Sequence, residues 1–222
     1  MPLDLAKAKT AVTTILHGIG TAPNVATALT AGLKTHGKVY EALVLAEVLR
    51  HLHVHEQLQP LLSVGTKLTL KSAPGPINRQ YPYFSLVDAG GTIRAEVWTD
   101  VEFATMSSHG AAQVFEGDHH ELDILVTEPG LNGHPPHDSV WLGVECKHTV
   151  FAKSMLREVL GIRRELSLLQ SPQATRFKTW PQAKVPASPN SSLLVCSTDS
   201  TIAKYQQVGD AYGLRFLHVP VA

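Results

Sequence analysis

Two short segments carry residues whose types and spacing suit chemistry: HELDILV (120–126), which contains Asp123, and WLGVECK (141–147), which contains Glu145 and Lys147. Both read as strands. Residues i and i+2 of a strand share a face, so Glu145 and Lys147 project the same way and Cys146 projects opposite. If the two strands pair, Asp123 and Glu145 lie about 5 Å apart. Two carboxylates on adjacent strands suit magnesium, which takes oxygen ligands and commonly uses one or two carboxylates with water and phosphate. A lysine one pleat further on would orient a water or stabilise charge on a phosphate. A metal ion with a lysine is the equipment of phosphodiester hydrolysis. The same residues also admit a plain reading, in which Glu145 and Lys147 form a structural ion pair and Asp123 caps a turn.

Elements of defined kind must position these residues. Residues 3–17 and 23–34 are Ala-rich and read as helices, separated by the breaker GIGTAP at 18–23. Residues 38–55 form the clearest helix, with Val39, Leu43, Ala46, Leu49 and Leu52 on one face. A strand is expected at 66–72, where TKLTLKS alternates, and a loop at 72–82. Residues 83–105 read as two strands joined by the turn Asp88-Ala89-Gly90-Gly91. A polar stretch at 106–120 precedes the strand at 121–127, and a turn-rich loop at 128–139 precedes the strand at 140–147. A helix follows at about 151–170, with Met155, Val159, Ile162 and Leu166 on one stripe. Residues 171–190 hold four prolines and read as an exposed loop. A buried strand at 191–198, a helix at 199–212 and a final strand at 214–220 complete the chain. A meander followed by right-handed crossovers makes an α/β fold, a mixed central sheet flanked by helices.

ELDILV followed, after a turn-rich loop, by WLGVECK resembles the D…(D/E)-x-K signature of the PD-(D/E)XK, restriction-endonuclease-like, nuclease superfamily. The helix, three-strand meander, helix and strand of that superfamily's core match the order of elements from 38 to about 198. The resemblance implies a restriction-endonuclease-like fold over residues 37–222, with residues 1–36 as an N-terminal helical extension for oligomerisation or substrate contact. It implies that Asp123 and Glu145 bind magnesium or manganese and that Lys147 is catalytic. Many members add a glutamate from the first core helix, and Glu41 in GKVYEALVLAEVL is the candidate, with Glu47 behind it. Leu122 stands where the signature has proline. The implied activity is an Mg-dependent endonuclease acting on DNA, in restriction or phage defence, as a homo-oligomer or as a subunit of a defence complex. The rival expectation is an inactive nuclease-fold subunit that binds nucleic acid or builds a complex.

Charge is distributed to match. Glu96 to Glu128 contains eight acids and no Lys or Arg, whereas Lys147 to Lys178 contains seven bases and two acids. Lys153, Arg157, Arg163 and Arg164 on the helix after the motif are the candidate contacts to a phosphate backbone, with His120 and His148 beside the pocket. The formal net charge of zero argues against a protein that coats nucleic acid by bulk charge and leaves room for a local basic groove. Cys146 and Cys196 read as buried thiols of a reducing, cytoplasmic compartment. No signal peptide and no membrane span is expected.

Overall fold

The computed structural model describes residues 4–21, 23–108 and 115–221. Leu3 of the expected first helix, Ala22 of the breaker and 109–114 of the polar stretch lie outside the described residues. Helix α1 (Leu5–Gly18) starts at Asp4, whose side chain accepts hydrogen bonds from the Ala6 and Lys7 amides. Helix α2 (Pro23–Gly32) follows, and Thr35 caps α3 (His36–Glu56) by accepting from the Lys38 amide. The expected face of α3 is buried, and so are Tyr40, Ala42, Val44, Leu45 and Val48. The reason is that α3 lies between the sheet and the first two helices, so it is apolar nearly all round. α1 and α2 thus share one hydrophobic core with α3 and the sheet, instead of standing apart from it.

One mixed sheet of seven strands runs in the order β1 (Gln59–Leu62), β2 (Phe84–Val87), β3 (Ile93–Ala104), β4 (His119–Thr127), β5 (Val140–Lys147), β8 (Ser192–Ser197) and β9 (Leu214–His218), with β6 (Leu168–Ala174) and β7 (Lys184–Ser188) in a separate hairpin. Strands β1 to β5 form an antiparallel meander. The β2–β3 turn follows the expectation: Asp88 Oδ1 accepts from the Gly90 and Thr92 amides, and Gly91 takes a φ of 81°. Helix α4 (Lys153–Leu166) crosses over to β8, parallel to β5, and α5 (Gln206–Tyr212) leads to β9, parallel to β8. Helices cover both faces, so the α/β class and the mixed, flanked sheet are as expected. No helix among the described residues is long and apolar enough to cross a membrane.

Three expectations are corrected. Residues 66–72 form no strand, because the slot beside β2 is already taken by β1, with Gln59 opposite Val87 and Leu62 opposite Phe84. Leu68 is buried in the core all the same, and Lys71 donates to the Pro76 and Asp100 carbonyls. Residues 171–190 are not a plain loop: β6 (Leu168–Ala174) and β7 (Lys184–Ser188) pair as a separate hairpin, and the register jump between Leu169 and Gln173 accommodates Pro172, which has no amide proton. The buried stripe of α4 is Leu156, Val159, Arg163 and Leu166, with Met155 and Ile162 only half-buried.

Glu56, at the end of α3, ties that helix to the connection between β6 and β7. Its carboxylate accepts from the Lys178, Thr179 and Trp180 amides at 2.6, 2.8 and 3.0 Å and from the Thr179 hydroxyl at 3.1 Å. Truncation removes a charged acceptor from four partly buried donors, so Glu56→Ala is expected to cost about 1–2 kcal/mol of unfolding free energy. Urea denaturation would measure it; a loss under about 0.5 kcal/mol, the range of an ordinary surface substitution, would show that Glu56 is no anchor.

Candidate metal centre

β4 and β5 remain backbone-paired as far as Ile124 and Val144. Beyond that pair the Cys146 amide donates to the Asp123 carboxylate, at 2.6 Å to Oδ2. Continuing the register by one residue sets Asp123 across from Glu145. On its other side, Asp123 faces β3. Thr99 pairs with Ile124 and Val101 with Leu122, so the residue across from Asp123 is Asp100. Three acids therefore line up across three adjacent strands.

Asp100 sits in the left-handed region, at a φ of 51°, which Asp tolerates better than most residues. The strand alternation breaks there. Ala95 and Val97 pack in the core on the α3 side, whereas Val101 and Phe103 pack in the core on the opposite side. An unbroken strand would keep all four on one face. β4 changes in the same way, with Leu122 on one side and Ile124 and Val126 on the other. Asp100 and Asp123 stand at this paired change of face, opposite each other.

Glu41 completes the group from α3. Glu41, Asp100 and Asp123 each offer a carboxylate oxygen, and these oxygens lie within 4.8 Å of one another. Lys38, one turn earlier on α3, reaches into the same group: its Nζ is 2.6 Å from Glu41 Oε2 and 2.5 Å from Asp100 Oδ1. Asp100 is 1% exposed, and its other oxygen, Oδ2, is buried without a hydrogen-bond partner. Glu145 is buried and pairs with Lys147 at 2.9 Å, and Lys147 also holds Glu158 of α4 at 2.7 Å.

These four acids are crowded out of water, and their acidities show it. Burial and the neighbouring Asp123 carboxylate push Glu145 up to about 8, against the pull of Lys147. Burial pushes Glu41 up to about 7, although Lys38 opposes it. Asp100 and Asp123 are also raised by burial, the first held back by Lys38 and the second by the Cys146 amide. Burial alone would lower Lys147, but Glu145 and Glu158 outweigh it and keep its ammonium charged.

The donor set is made of carboxylate oxygens, which suits a hard divalent ion such as magnesium or manganese. The unpartnered Asp100 oxygen fits that demand. Sequence reasoning selected Glu41 and Asp123 but missed Asp100 and Lys38. An acid between Thr99 and Val101 in the strand-like segment VWTDV was the available signal, of the same kind as Asp123 in HELDILV. Glu145 lies beside the group, within electrostatic reach of Asp123, and its close partner is Lys147. Glu47 points to Arg50 instead, at 2.7 Å.

The candidate substrate contacts divide. Lys153, Arg157 and Arg164 are exposed on α4. Arg164 and His120 line a shallow cavity of about 420 Å³ with Glu121, Glu158 and Glu165, next to the Lys147–Glu158 pair. His148 stacks beside His36 and Tyr40, at ring distances of 5.9 and 5.7 Å. Arg163 turns inward: it is 4% exposed and donates to the Ser191 carbonyl at 2.8 Å and to the Ser167 hydroxyl. Its place in the buried stripe of α4 keeps it from a bound backbone, so it serves as an anchor for the crossover to β8.

No family model, no curated protein and no solved structure matches this chain.

Glu41 and Glu145 ionise near 4.5 when unperturbed, and their folded values are raised. Between about pH 7 and 8.5, above the range in which His51, His134 and His148 take up protons on unfolding, the folded chain therefore binds more protons than the unfolded one, and its stability falls as pH rises. In chelator, the Tm is expected to drop across that window. Saturating calcium should flatten the drop and, at pH 7, release about one to two protons, because a bound cation requires ionised carboxylates. Thermal melts across the window, and calorimetry in buffers of different ionisation enthalpy, would check both. A pH-independent Tm in chelator would contradict the assigned acidities.

Proposed function

We propose that this protein is a metal-dependent nuclease of the PD-(D/E)XK type that hydrolyses phosphodiester bonds of DNA. The observation that carries the reading is the convergence of Glu41, Asp100 and Asp123 within 4.8 Å, beside a Glu145–Lys147 pair. Four acids gathered from one helix and three adjacent strands, and largely removed from water, are costly without a cation. The order of elements from α3 through β8, a helix, a meander, a crossover helix and a parallel strand, supports the same reading.

Asp100, Asp123 and Glu41 would hold the ion, with Glu145 at its flank. Bound there, magnesium or manganese would supply a Lewis acid for the phosphate and a more acidic water. The protein's own part is placement. Asp123 is fixed by the Cys146 amide, so its carboxylate cannot swing away from the group. The Lys147 ammonium stays charged between Glu145 and Glu158, where it would face a phosphate held by the ion. A preorganised cation of this kind stabilises charge that develops during phosphoryl transfer. Lys153, Arg157 and Arg164 would hold the flanking backbone and account for steep salt dependence.

Plasmid nicking with magnesium, and again with chelator, tests the reading. Lys147→Ala is expected to lower turnover by about 10²-fold or more, the scale of losing one preorganised charge. Its calcium affinity and DNA binding should stay near the parent's. Asp100→Asn keeps the shape but not the charge, so calcium binding and nicking should fall together. DNA binding without metal-dependent nicking in the parent would favour the non-catalytic, nuclease-fold subunit. Undiminished nicking by Lys147→Ala would reduce that lysine to a structural partner of Glu145.

A further inference from the structure

We infer that Lys38 is a built-in counter-ion for the carboxylate group, and that a divalent ion binds by displacing its ammonium. The inference rests on the reading of Glu41, Asp100 and Asp123 as a divalent-ion site.

The ammonium already pairs with two of the three carboxylates a cation would use. It bridges Glu41 Oε2 at 2.6 Å and Asp100 Oδ1 at 2.5 Å, and those two carboxylates belong to the group whose oxygens converge. Asp100 Oδ2 remains for a metal ion, but an ammonium and a divalent ion that share the same two carboxylates lie close together and repel. Metal binding is therefore an exchange and not a simple addition.

The parts differ in mobility. Asp100 is 1% exposed and flanked on β3 by residues paired to β4, so it stays in place. Asp123 is held by the Cys146 amide. The Lys38 side chain is 28% exposed, on a four-carbon stem at the protein's surface. The lysine is the component free to move. Its position supports this role: the first turn of α3 carries no acid, and a positive charge there opposes the helix dipole. Nothing in the helix itself favours a lysine at that point, whereas the two carboxylates do.

An internal ammonium also selects by charge. A monovalent ion that takes its place brings no extra charge to the acids, whereas a divalent ion brings one more. The lysine thus weakens all cations alike by competition, and only a divalent ion recovers the loss through stronger attraction.

Calcium binding measured by calorimetry at one pH tests this, with the parent, Lys38→Met and Lys38→Arg. A lysine that vacates the site a tenth of the time lowers apparent affinity about tenfold. Lys38→Met is therefore expected to bind calcium about tenfold more tightly, with a lower Tm in chelator and a larger rise on adding calcium. Lys38→Arg keeps the charge and grips carboxylates with two parallel bonds, so it should bind calcium more weakly than the parent. If Lys38→Met does not fold, the Lys38→Arg result decides alone. Equal or weaker calcium binding by a folded Lys38→Met, or equal or tighter binding by Lys38→Arg, overturns the inference. If the parent still nicks plasmid with magnesium in that case, the metal site stands and only the displacement falls. Absence of calcium and manganese binding in every variant would remove both.

Discussion

Four carboxylates that share one poorly hydrated corner of the molecule must be compensated, and the rest of the site follows from that constraint. Glu41, Asp100, Asp123 and Glu145 come from α3, β3, β4 and β5, and two ammonium groups, those of Lys38 and Lys147, lie among them. Burial raises the cost of every uncompensated charge, so the chain answers in several ways at once. Glu41 and Glu145 retain protons to higher pH than a free glutamate. Asp123 draws on a backbone amide. Asp100 keeps one oxygen for Lys38 and leaves the other without a partner. Such a group is poised to take up a cation, because a cation relieves repulsion, desolvation and an unmet acceptor together.

The fold makes the corner possible by interrupting its own regularity. Strands β3 and β4 each change the face they present to the core, and the changes occur at Asp100 and Asp123, which stand opposite each other. Apolar residues on both sides of the break still reach a core, so packing holds the acids in place. On one side α3 lies across the sheet and delivers Glu41 and Lys38. On the other, α4 brings Glu158 to Lys147 and sets Arg163 against the start of β8. The two cores fix the positions of the helices, and the helices in turn deliver charges to one end of the sheet.

Much of the scaffold was legible in the chain because it rests on local pattern. The α3 helix, the β2–β3 turn at Asp88 to Gly91, and strands β4, β5, β8 and β9 follow from periodicity and turn residues. The misreadings have physical causes. TKLTLKS alternates like a strand, yet pairing needs a vacant neighbour, and β1 holds that place. The proline-rich segment pairs because a register jump absorbs Pro172. Arg163 looks like a surface base by type, but its position in the apolar stripe of α4 buries it.

The sequence by itself determined the local elements and two of the acids, Asp123 and Glu145, because a charge inside an apolar run stands out and i, i+2 spacing sets its face. It pointed to Glu41 only through a resemblance. Which acids meet was decided by the tertiary structure alone. Asp100 lies 23 residues before Asp123 and joins it only through the β3–β4 register, which depends on pairing across the sheet. Lys38 lies 62 residues from Asp100, and no local rule links them. Side-chain convergence depends on strand register and helix packing, which are set by the burial of the whole core and not by any one segment.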